Sequence, residues 1–434
     1  MVDLVPSLLE YLDASPTPFH AVAESVRRLR AAGFVELRER DAWSLMPGGR
    51  YFSIRNGSSL IAFICGRAAP ELGGFLAIGA HTDSPTLRIK PAPELRRHGY
   101  LQLGVEVYGG VLHSTWLDRD LSIAGRVSVE IEGKIEARLV NFGRPLVRIP
   151  NLAIHLNRGV NSDGLVVNPQ THLAPVLGLD TTGPISMHQL LARELSHAGK
   201  TLEAKQILGW DLCLYDTQPA ALSGLEHEFI QSARLDNLAG CFAAVTALCN
   251  VPNTQAELDA TRVVVLYDHE EVGSRSAQGA CSSLLRLALQ RITDAYGDAR
   301  AEAFARAMSR SFLISADMAH ALHPNYSDRH EPNHSPVLGR GPVLKVNANQ
   351  SYATDGMTTA RLEQWCRRAE VKLQPYVARS DLPCGSTIGP IVAADLGLAT
   401  ADVGNPLLSM HSVREMCACA DVGLLARLLD AYFS

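Results

Sequence analysis

Two glutamates, Glu270 and Glu271, stand side by side directly after an apolar run, in the stretch TRVVVLYDHEEVGS (261–274). Adjacent carboxylates repel each other when both are charged in a dry site, so such a pair requires a cation, a proton or water nearby. Most glutamate pairs are hydrated loop residues. Here the pair follows a predicted buried strand and precedes Val-Gly-Ser, and this placement favours a functional site.

Three further segments have the same pattern, a short apolar strand that ends in a potential metal ligand. They are GFLAIGAHTDSP with His81 and Asp83, SFLISADMAH with Asp317, and LATADVGNPLLSMHSVRE with His411. Apolar runs without alternation indicate strands buried on both faces, and helical patterns between them predict an α/β fold. Because ligands of such sheets gather at the carboxyl ends of the strands, we expect the four strand ends to converge. His411 could also cap the last helix, and both interpretations remain open.

A two-metal site is the chemistry that these residue types suggest. Such sites hold their ions roughly 3.5–4 Å apart and need a bridging carboxylate, further nitrogen and oxygen ligands, and a shared water. Asp236 in ARLDNLAG, where a loop becomes a helix, could be the bridge, although an N-cap is the commoner role of such an aspartate. Glu270 and Glu271 should leave the strand in different directions, so that one binds metal and the other reaches a water.

The stretch MAHALHPNYSDRHEPNHSP, which follows Asp317, is rich in histidine. Such a composition can indicate metal binding. We expect most of these imidazoles to be hydrogen-bonding loop residues, with one or two shaping a pocket, because only Asp317 has the strand-end position. The histidines concerned are His320, His323, His330 and His334.

The pattern changes to strict alternation in the middle of the chain. GRVSVEIEGKIEARLV alternates on both sides of Glu132-Gly133-Lys134, which predicts a β-hairpin with one buried face. YLQLGVEVYGG alternates as well. We therefore predict a β-rich insert at 91–231 within a catalytic domain made of 1–90 and 232–434, and inserts of this kind commonly serve as lids or oligomer contacts.

Composition excludes several classes of protein. The chain has 434 residues, 47% of them hydrophobic, and a formal net charge of −5 without long runs of one sign. This predicts a globular protein that binds neither nucleic acid nor a membrane surface. We expect no signal peptide, because the N-terminal stretch lacks the basic and apolar regions of one, and no apolar run approaches the roughly 20 residues of a membrane span. Nine cysteines without a CxxC pair are typical of reduced thiols in the cytoplasm.

Nine motifs together resemble the aspartyl aminopeptidase family of co-catalytic zinc metallopeptidases. In chain order they are SPTPFHAV, GAHTDSP, IHLNR, SARLDN, YDHEEVGSRSAQGA, DMAHALHPNYSDRHEPNHSP, GPVLKVNANQSYAT, CGSTIGPI and MHSVREM. The resemblance runs nearly end to end. It implies a three-layer α/β/α zinc-exopeptidase-like catalytic domain with an inserted β-rich dimerisation domain.

The resemblance also implies a role for each candidate ligand. One zinc would be held by His81 and Asp317, and the other by Glu271 and His411, with Asp236 bridging the two. Glu270 would be the general base and Asp83 the carboxylate that orients His81. Glu270 would then take a proton from a metal-activated water that attacks the first peptide carbonyl, and would return it to the leaving amine. Manganese or cobalt would suit the same ligands.

The substrate contacts implied by the resemblance lie elsewhere in the chain. His155 in IHLNR would reach a neighbouring subunit's site and contact the substrate or its oxyanion, and we rank this role above a possible metal ligation. Lys345 would supply a positive charge to the pocket for the N-terminal side chain and favour Asp or Glu. Tyr352, Ser386 and Thr387 would complete that pocket.

The implied assembly is a homodimer, built through the insert, that assembles further into a dodecamer. Two alternatives to an acidic-residue aminopeptidase remain. One is a two-metal aminopeptidase or amidohydrolase that prefers neutral residues. The other is a catalytically silent scaffold protein, which is disfavoured because the base and all five ligand positions are present.

Overall fold

The computed structural model describes residues 3–181, 186–196, 201–252, 258–296 and 302–434. The chain forms two compact units. The first comprises Met1–Asp83, Ala220–Met410 and Glu415–Ser434, and the second comprises Ser84–Pro219 and His411–Arg414. The insert predicted at 91–231 begins later and ends later than the second unit. The reason is that the first strand of the second unit's sheet already starts at Thr86, whereas residues 221–232 pair within the first unit.

Helices and strands of the described residues are numbered along the chain. The helices are α1 (Val5–Asp13), α2 (Pro18–Ala31), α3 (Pro70–Gly73), α4 (Val160–Asp163), α5 (Pro169–His172), α6 (Met187–Leu195), α7 (Leu235–Asn250), α8 (Leu284–Ala295), α9 (Glu302–Arg310), α10 (Gly356–Ala369), α11 (Ile388–Leu396) and α12 (Cys419–Phe433). The strands are β1 (Val35–Glu36), β2 (Arg50–Arg55), β3 (Ser59–Ile64), β4 (Phe75–His81), β5 (Thr86–Arg97), β6 (Tyr100–Tyr108), β7 (Leu121–Ile131), β8 (Lys134–Asn141), β9 (Val176–Leu179), β10 (Ile207–Asp216), β11 (Ala221–Ser223), β12 (Phe229–Ser232), β13 (Thr261–Tyr267), β14 (Phe312–Ala316), β15 (Ala319–His320), β16 (Val343–Lys345), β17 (Gln374–Tyr376), β18 (Ala399–Gly404), β19 (Pro406–Leu408) and β20 (Glu415–Ala418).

A nine-stranded sheet forms the centre of the first unit, in the order β1-β2-β3-β13-β4-β14-β18-β16-β17. Its middle strands β13, β4, β14 and β18 run parallel. A parallel strand covered on both faces should be apolar throughout, and every residue of TRVVVLY in β13 is buried. The same unit contains a five-stranded sheet in the order β11-β12-β20-β19-β15.

Helices cover both faces of the nine-stranded sheet. Alternate residues of β13 divide between two apolar cores, Val264 and Leu266 in one and Val263 and Val265 in the other. The first core includes residues of α1, α2, α7, α10 and α12, and the second includes residues of α8, α9 and α11. The predicted three-layer α/β/α fold is therefore confirmed, because the two-residue period of a strand places neighbouring side chains on opposite faces.

The second unit is built on a six-stranded antiparallel sheet in the order β8-β7-β10-β5-β6-β9. The predicted hairpin is confirmed, since β7 and β8 pair up to Ile131 and Lys134. The two turn residues Glu132 and Gly133 have φ of 50° and 74°, as a two-residue turn matched to the strand twist requires. In the part of the chain that is described, no helix has the length and apolar character to span a membrane.

Candidate metal centre

The candidate ligands of the first unit leave the carboxyl ends of neighbouring parallel strands. β4 ends at His81, whose register partner in β13 is Tyr267, the last residue of that strand. Asp317 follows β14 directly, and its backbone N–H donates to the carbonyl oxygen of Val403 in β18 at 3.0 Å. The predicted convergence of these strand ends is therefore present for His81, Asp317 and the glutamate pair.

His81 is the buried centre of the cluster. Its Nε2 lies 3.5 Å from Oδ1 of Asp236 and 3.4 Å from Oδ1 of Asp317. On the other side of the ring, Nδ1 lies 3.0 Å from the backbone oxygen of Asp83. A carbonyl oxygen only accepts, so Nδ1–H must be the donor, and Nε2 is the nitrogen that remains for a metal ion.

The Asp83 carboxylate accepts two hydrogen bonds that the sequence did not predict. Its Oδ1 accepts the backbone N–H of Glu270 and its Oδ2 accepts that of Glu271, each at 3.1 Å. The carboxylate is fully buried, and its Oδ1 also lies 3.4 Å from His81 Nδ1. Asp83 therefore holds both glutamates to the loop that follows His81.

The predicted directions of Glu270 and Glu271 take them as the residues that leave the strand, but two residues and a turn separate them from it. β13 ends at Tyr267, and the two glutamates lie in a 3-10 turn, Glu270–Val272. The reason is the backbone of His269, which has a left-handed conformation with φ of 63° and turns the chain before the pair. The alternation of a strand therefore does not govern where the two carboxylates point.

Asp236 lies at a kink in α7. Its dihedral angles and those of Asn237 are not helical, and the peptide bond between the two residues is cis. The backbone N–H of Asp236 donates to Oε2 of Glu415 at 3.0 Å, and Nδ2 of Asn237 donates to the carbonyl oxygen of Ala316 at 2.7 Å. Arg234, two residues earlier, has a left-handed φ of 61°. These contacts place the Asp236 side chain beside His81.

The buried carboxylates of the cluster would be stabilised by a bound cation. Burial, together with the nearby carboxylates, raises the pKa of Glu270 and of Glu271 well above the ordinary range. Burial alone would lower the pKa of His81, but Asp236, Asp317 and Asp83 outweigh it and raise that pKa. Several carboxylates in one buried space are stabilised by positive charge, and a divalent ion supplies more of it than a proton.

The ligand atoms are close enough to share metal ions. One atom each from His81, Asp236 and Asp317 lie within 4.8 Å of one another, and the same holds for His81, Glu270 and Glu271. Imidazole nitrogen and carboxylate oxygen are donors that zinc accepts. The residues present therefore fit a metal centre.

Comparison with known proteins agrees with this geometry. The family "Aminopeptidase I zinc metalloprotease (M18)" matches residues 11–433. The chain belongs to the M18 family. A probable M18 family aminopeptidase 2 of Pseudomonas entomophila is 50% identical over 428 residues, which cover 98% of this chain and 97% of the relative. The predicted metallo-aminopeptidase is thus confirmed, and zinc is the metal that the family implies.

Solved structures of M18 proteins share the fold. A chain of the Ape4 and Nbr1 complex superposes with a TM-score of 0.96 at 43% identity, over 99% of this chain and 85% of that one. The Saccharomyces cerevisiae mApe1 dodecamer gives a TM-score of 0.86 at 31% identity, over 99% of this chain and 96% of that one.

Of the predicted substrate residues of this M18 protein, Lys345 lies next to Asp317, and Tyr352 lies next to Lys345. Nζ of Lys345 donates to the backbone oxygen of Met318 at 2.9 Å and lies 3.3 Å from Oδ2 of Asp317. Lys345 is 2% exposed, and Nζ is 5.3 Å from the ring centre of the buried Tyr352. The pairing of Lys345 with a predicted metal ligand cannot be predicted from the sequence, because ion pairs between distant segments leave no local pattern.

The other two predicted pocket residues differ in exposure. Thr387 is buried, and its hydroxyl donates to Oδ1 of Asp402 at 2.5 Å. Ser386 is exposed. Asp402 and Glu415 are two further buried carboxylates, and both lie in the predicted ligand segment LATADVGNPLLSMHSVRE, which carries no local sign of their contacts.

Two predicted histidines belong to the second unit. His411 has a left-handed φ of 67°, and its Nδ1 lies 3.2 Å from the backbone oxygen of Gly110. His155 is exposed in a 3-10 turn, Ile154–Leu156. Metal binding by His411 and substrate contact or metal binding by His155 remain predictions.

The histidine-rich segment is held by hydrogen bonds, as predicted. Nε2 of His330 accepts the backbone N–H of His323 at 3.1 Å, and Nδ1 of His323 accepts that of Asn325 at 3.2 Å. His334 pairs with Glu331 at 2.5 Å. His320 lies beside Tyr376, with ring centres 6.0 Å apart. Within the described ranges, none of these histidines joins a group of potential metal ligands.

Proposed function

We propose that this M18 protein is a two-zinc aminopeptidase that removes the N-terminal residue of peptides, with a preference for Asp or Glu. The observation that carries the proposal is the buried group of His81, Asp236 and Asp317 with Glu270 and Glu271 beside it. A site with so many buried carboxylates is unfavourable unless cations balance it.

The proposed ligands are those that the resemblance to the family implies, and the cluster around His81 supports the choice. His81 and Asp317 would hold one ion, Glu271 and His411 the other, and Asp236 would bridge them. Zinc, when bound, would polarise the scissile carbonyl and make a bound water more acidic. Manganese or cobalt could occupy the same donors, and metal analysis of the purified protein distinguishes the three.

Glu270 is the proposed proton carrier. It is held at its backbone by Asp83, and its pKa is raised by burial and by the carboxylates around it, so the side chain can take up a proton and give it back. The proton would come from the attacking water and pass to the leaving amine. A general base of this kind contributes roughly 10²–10⁴-fold to kcat.

Lys345 supports an acidic preference and also limits it. An ammonium has three N–H donors, of which one goes to Met318 and another faces Asp317. The third could bind a substrate carboxylate, with Tyr352, Ser386 and Thr387 around it. However, the pairing with Asp317 neutralises much of the charge, and this observation favours the second candidate function, a two-metal aminopeptidase or amidohydrolase acting on neutral residues.

A matched pair of variants tests the metal chemistry. Glu270→Gln should keep its zinc and lose nearly all turnover, whereas Glu271→Gln should lose zinc as well, because only the second residue is a proposed ligand. Zinc content and kcat are measured on the same samples. Full activity of Glu270→Gln would contradict the assigned base, and equal zinc loss in both variants would contradict the division of roles.

A panel of aminoacyl anilides tests the substrate. Asp- and Glu-anilide should give a higher kcat/KM than Leu-anilide. A clear preference for Leu-anilide would contradict the acidic assignment and support the neutral alternative. Metal-loaded protein that cleaves none of the panel would support the silent scaffold instead.

The proposed assembly is a homodimer made through the second unit and, beyond it, a dodecamer in the cytoplasm, where His155 would reach the site of a neighbouring subunit. The second unit exposes Leu152, Leu156 and Val166 at 56%, 74% and 86%, and exposed apolar groups of this size favour a contact surface. Light scattering gives the mass directly. A species at the 46.9 kDa of one chain at working concentration would contradict the assembly.

A further inference from the structure

We infer that Asp402 is a positioning residue of the substrate pocket, whose negative charge offsets that of Lys345 and weakens the selectivity for acidic N-terminal residues. This inference rests on the proposed function. It concerns a residue that is neither a proposed metal ligand nor the proposed base and that acts through Lys345, Thr387 and the loop after Tyr352.

Asp402 lies in the middle of β18 with no exposed surface. Its register partner in the antiparallel strand β16 is Lys345, and its partner in the parallel strand β14 is Ser315. Adjacent strands lie about 5 Å apart, so the carboxylate and the ammonium belong to one buried region. The charge of Lys345 acts on Asp402 and lowers its pKa, against the larger effect of burial, which raises it.

Two segments of the pocket are attached to Asp402. Oδ1 accepts the hydroxyl of Thr387 at 2.5 Å, and Oδ2 accepts the backbone N–H of Ala353 at 2.6 Å. The backbone N–H of Asp402 donates to Oγ1 of Thr354 at 2.9 Å. Asp402 therefore connects the first turn of α11 with the loop that contains Tyr352, and both carry proposed substrate contacts.

Two carboxylates compete for the positive charge of Lys345, namely Asp317 at 3.3 Å and Asp402. The ion that Asp317 is proposed to hold would offset the charge of Asp317, whereas Asp402 is not a proposed ligand and keeps its effect on the lysine. An acidic substrate side chain would bring a third negative charge to the same lysine. Removing the charge of Asp402 should therefore favour an acidic side chain over a neutral one of similar size, because charges act strongly on each other in a buried site.

Asn is a suitable replacement at this position because it changes the charge and can keep the hydrogen bonds. The carboxamide oxygen can accept the N–H of Ala353, and the carboxamide nitrogen can donate to the Thr387 hydroxyl, which both donates and accepts. Space around the group is tight, since a Cβ added at Gly389 would lie 2.5 Å from Oδ1 of Asp402. A larger replacement would disturb the packing as well as the charge.

The test measures kcat and KM of Asp402→Asn on Asp- and Leu-anilide. We expect the ratio of kcat/KM for Asp over Leu to rise about tenfold, mainly through KM of the Asp substrate, because a buried unit charge acts on a nearby charge at an effective dielectric constant of only about 20. Asp421→Asn is the matched control, because Asp421 is also buried and accepts two backbone N–H groups, from Gly339 and Gly341. It should leave the ratio unchanged.

Each outcome bears on the inference. An unchanged ratio in folded Asp402→Asn, an equal loss on both substrates, or the same rise in Asp421→Asn would overturn it. Should Asp402→Asn fail to fold, Gly389→Ala, which displaces the carboxylate, replaces it and should also shift the ratio; an unchanged ratio there overturns the inference. If the unsubstituted protein is active and the ratio is unchanged in Asp402→Asn, only the role of Asp402 is refuted. If the unsubstituted protein cleaves none of the anilides, the proposed function and this inference are refuted together.

Discussion

Asp83→Asn is the substitution that probes the centre of the site most directly. The Asp83 carboxylate uses both oxygens, one on the N–H of Glu270 and one on the N–H of Glu271, each at 3.1 Å. The introduced asparagine has one oxygen and one NH₂ group in their place. One backbone N–H keeps its acceptor, and the other faces a donor, so one end of the glutamate turn must move or lose its hydrogen bond.

The magnitude has two parts. Leaving a buried N–H without an acceptor should lower the free energy of unfolding of the zinc-free protein by about 1–3 kcal/mol. Displacing the glutamate turn and changing the group next to His81 should weaken zinc binding by about 10–100-fold, or about 1.4–2.7 kcal/mol, as is usual for residues that orient metal ligands. The isosteric change adds no steric clash of its own.

Two assays separate these effects. Urea denaturation of the zinc-free protein gives the change in the free energy of unfolding. Competition with a chelator of known affinity gives the change in zinc affinity. Asp421→Asn is the control, because Asp421 is fully buried and accepts the N–H groups of Gly339 and Gly341 at 2.7 Å each, but does not belong to the metal cluster. It should show the same loss of stability with unchanged zinc affinity. Parent-like zinc affinity in Asp83→Asn would refute the positioning role.

The remaining predictions concern other parts of the first unit. Burial and the nearby Arg234 lower the pKa of His20 to about 4. Because the unfolded chain binds this proton with a pKa near 6.5, the free energy of unfolding should fall as the pH drops from about 6.5 to about 4, by at most about 3 kcal/mol. His20→Asn should flatten this dependence in urea denaturation, and an unchanged slope would contradict it. A Cβ at Gly404 would lie 1.7 Å from the backbone oxygen of Asp317, so Gly404→Ala should displace that ligand and reduce zinc content at limiting zinc, which metal analysis checks. Phe242→Ala removes a side chain that is 1% exposed, and it should lower the free energy of unfolding by about 3–5 kcal/mol; a loss below about 1 kcal/mol in urea denaturation would show that the core refills the space.

The fold and the cluster could be predicted because they depend on local patterns. An apolar strand followed by a ligand identifies a strand end, and parallel strands bring such ends to one edge, so the sequence predicts that His81, Asp317 and Glu270 lie together. The middle of the chain was recognised by its alternation, and the hairpin by its turn residues.

The direction of the glutamates and the long-range partners could not be predicted. The orientation of Glu270 and Glu271 depends on a left-handed residue, His269, and although histidine is enriched in that conformation, most histidines do not adopt it. The pairing of Lys345 with Asp317 joins segments that are distant in sequence. The sequence around Asp402 does not distinguish it from other aspartates near strands, because its contacts depend on where the fold buries it and not on its residue type.

Two non-glycine residues with left-handed backbones, Arg234 and His269, directly precede helix α7 with Asp236 and the 3-10 turn with the glutamate pair. Such a conformation is unfavourable by roughly 1 kcal/mol or more for an ordinary side chain, and glycine would adopt it freely. Glycine at these positions would relieve the backbone but would also release the side chains that hold it, for example the Arg234 guanidinium that donates to the carbonyl of Ser15. Directed evolution for heat resistance should therefore find that variants stabilised at these two positions mostly have a lower kcat. Thermal stability and kcat would then be exchanged against each other at the backbone next to the ligands.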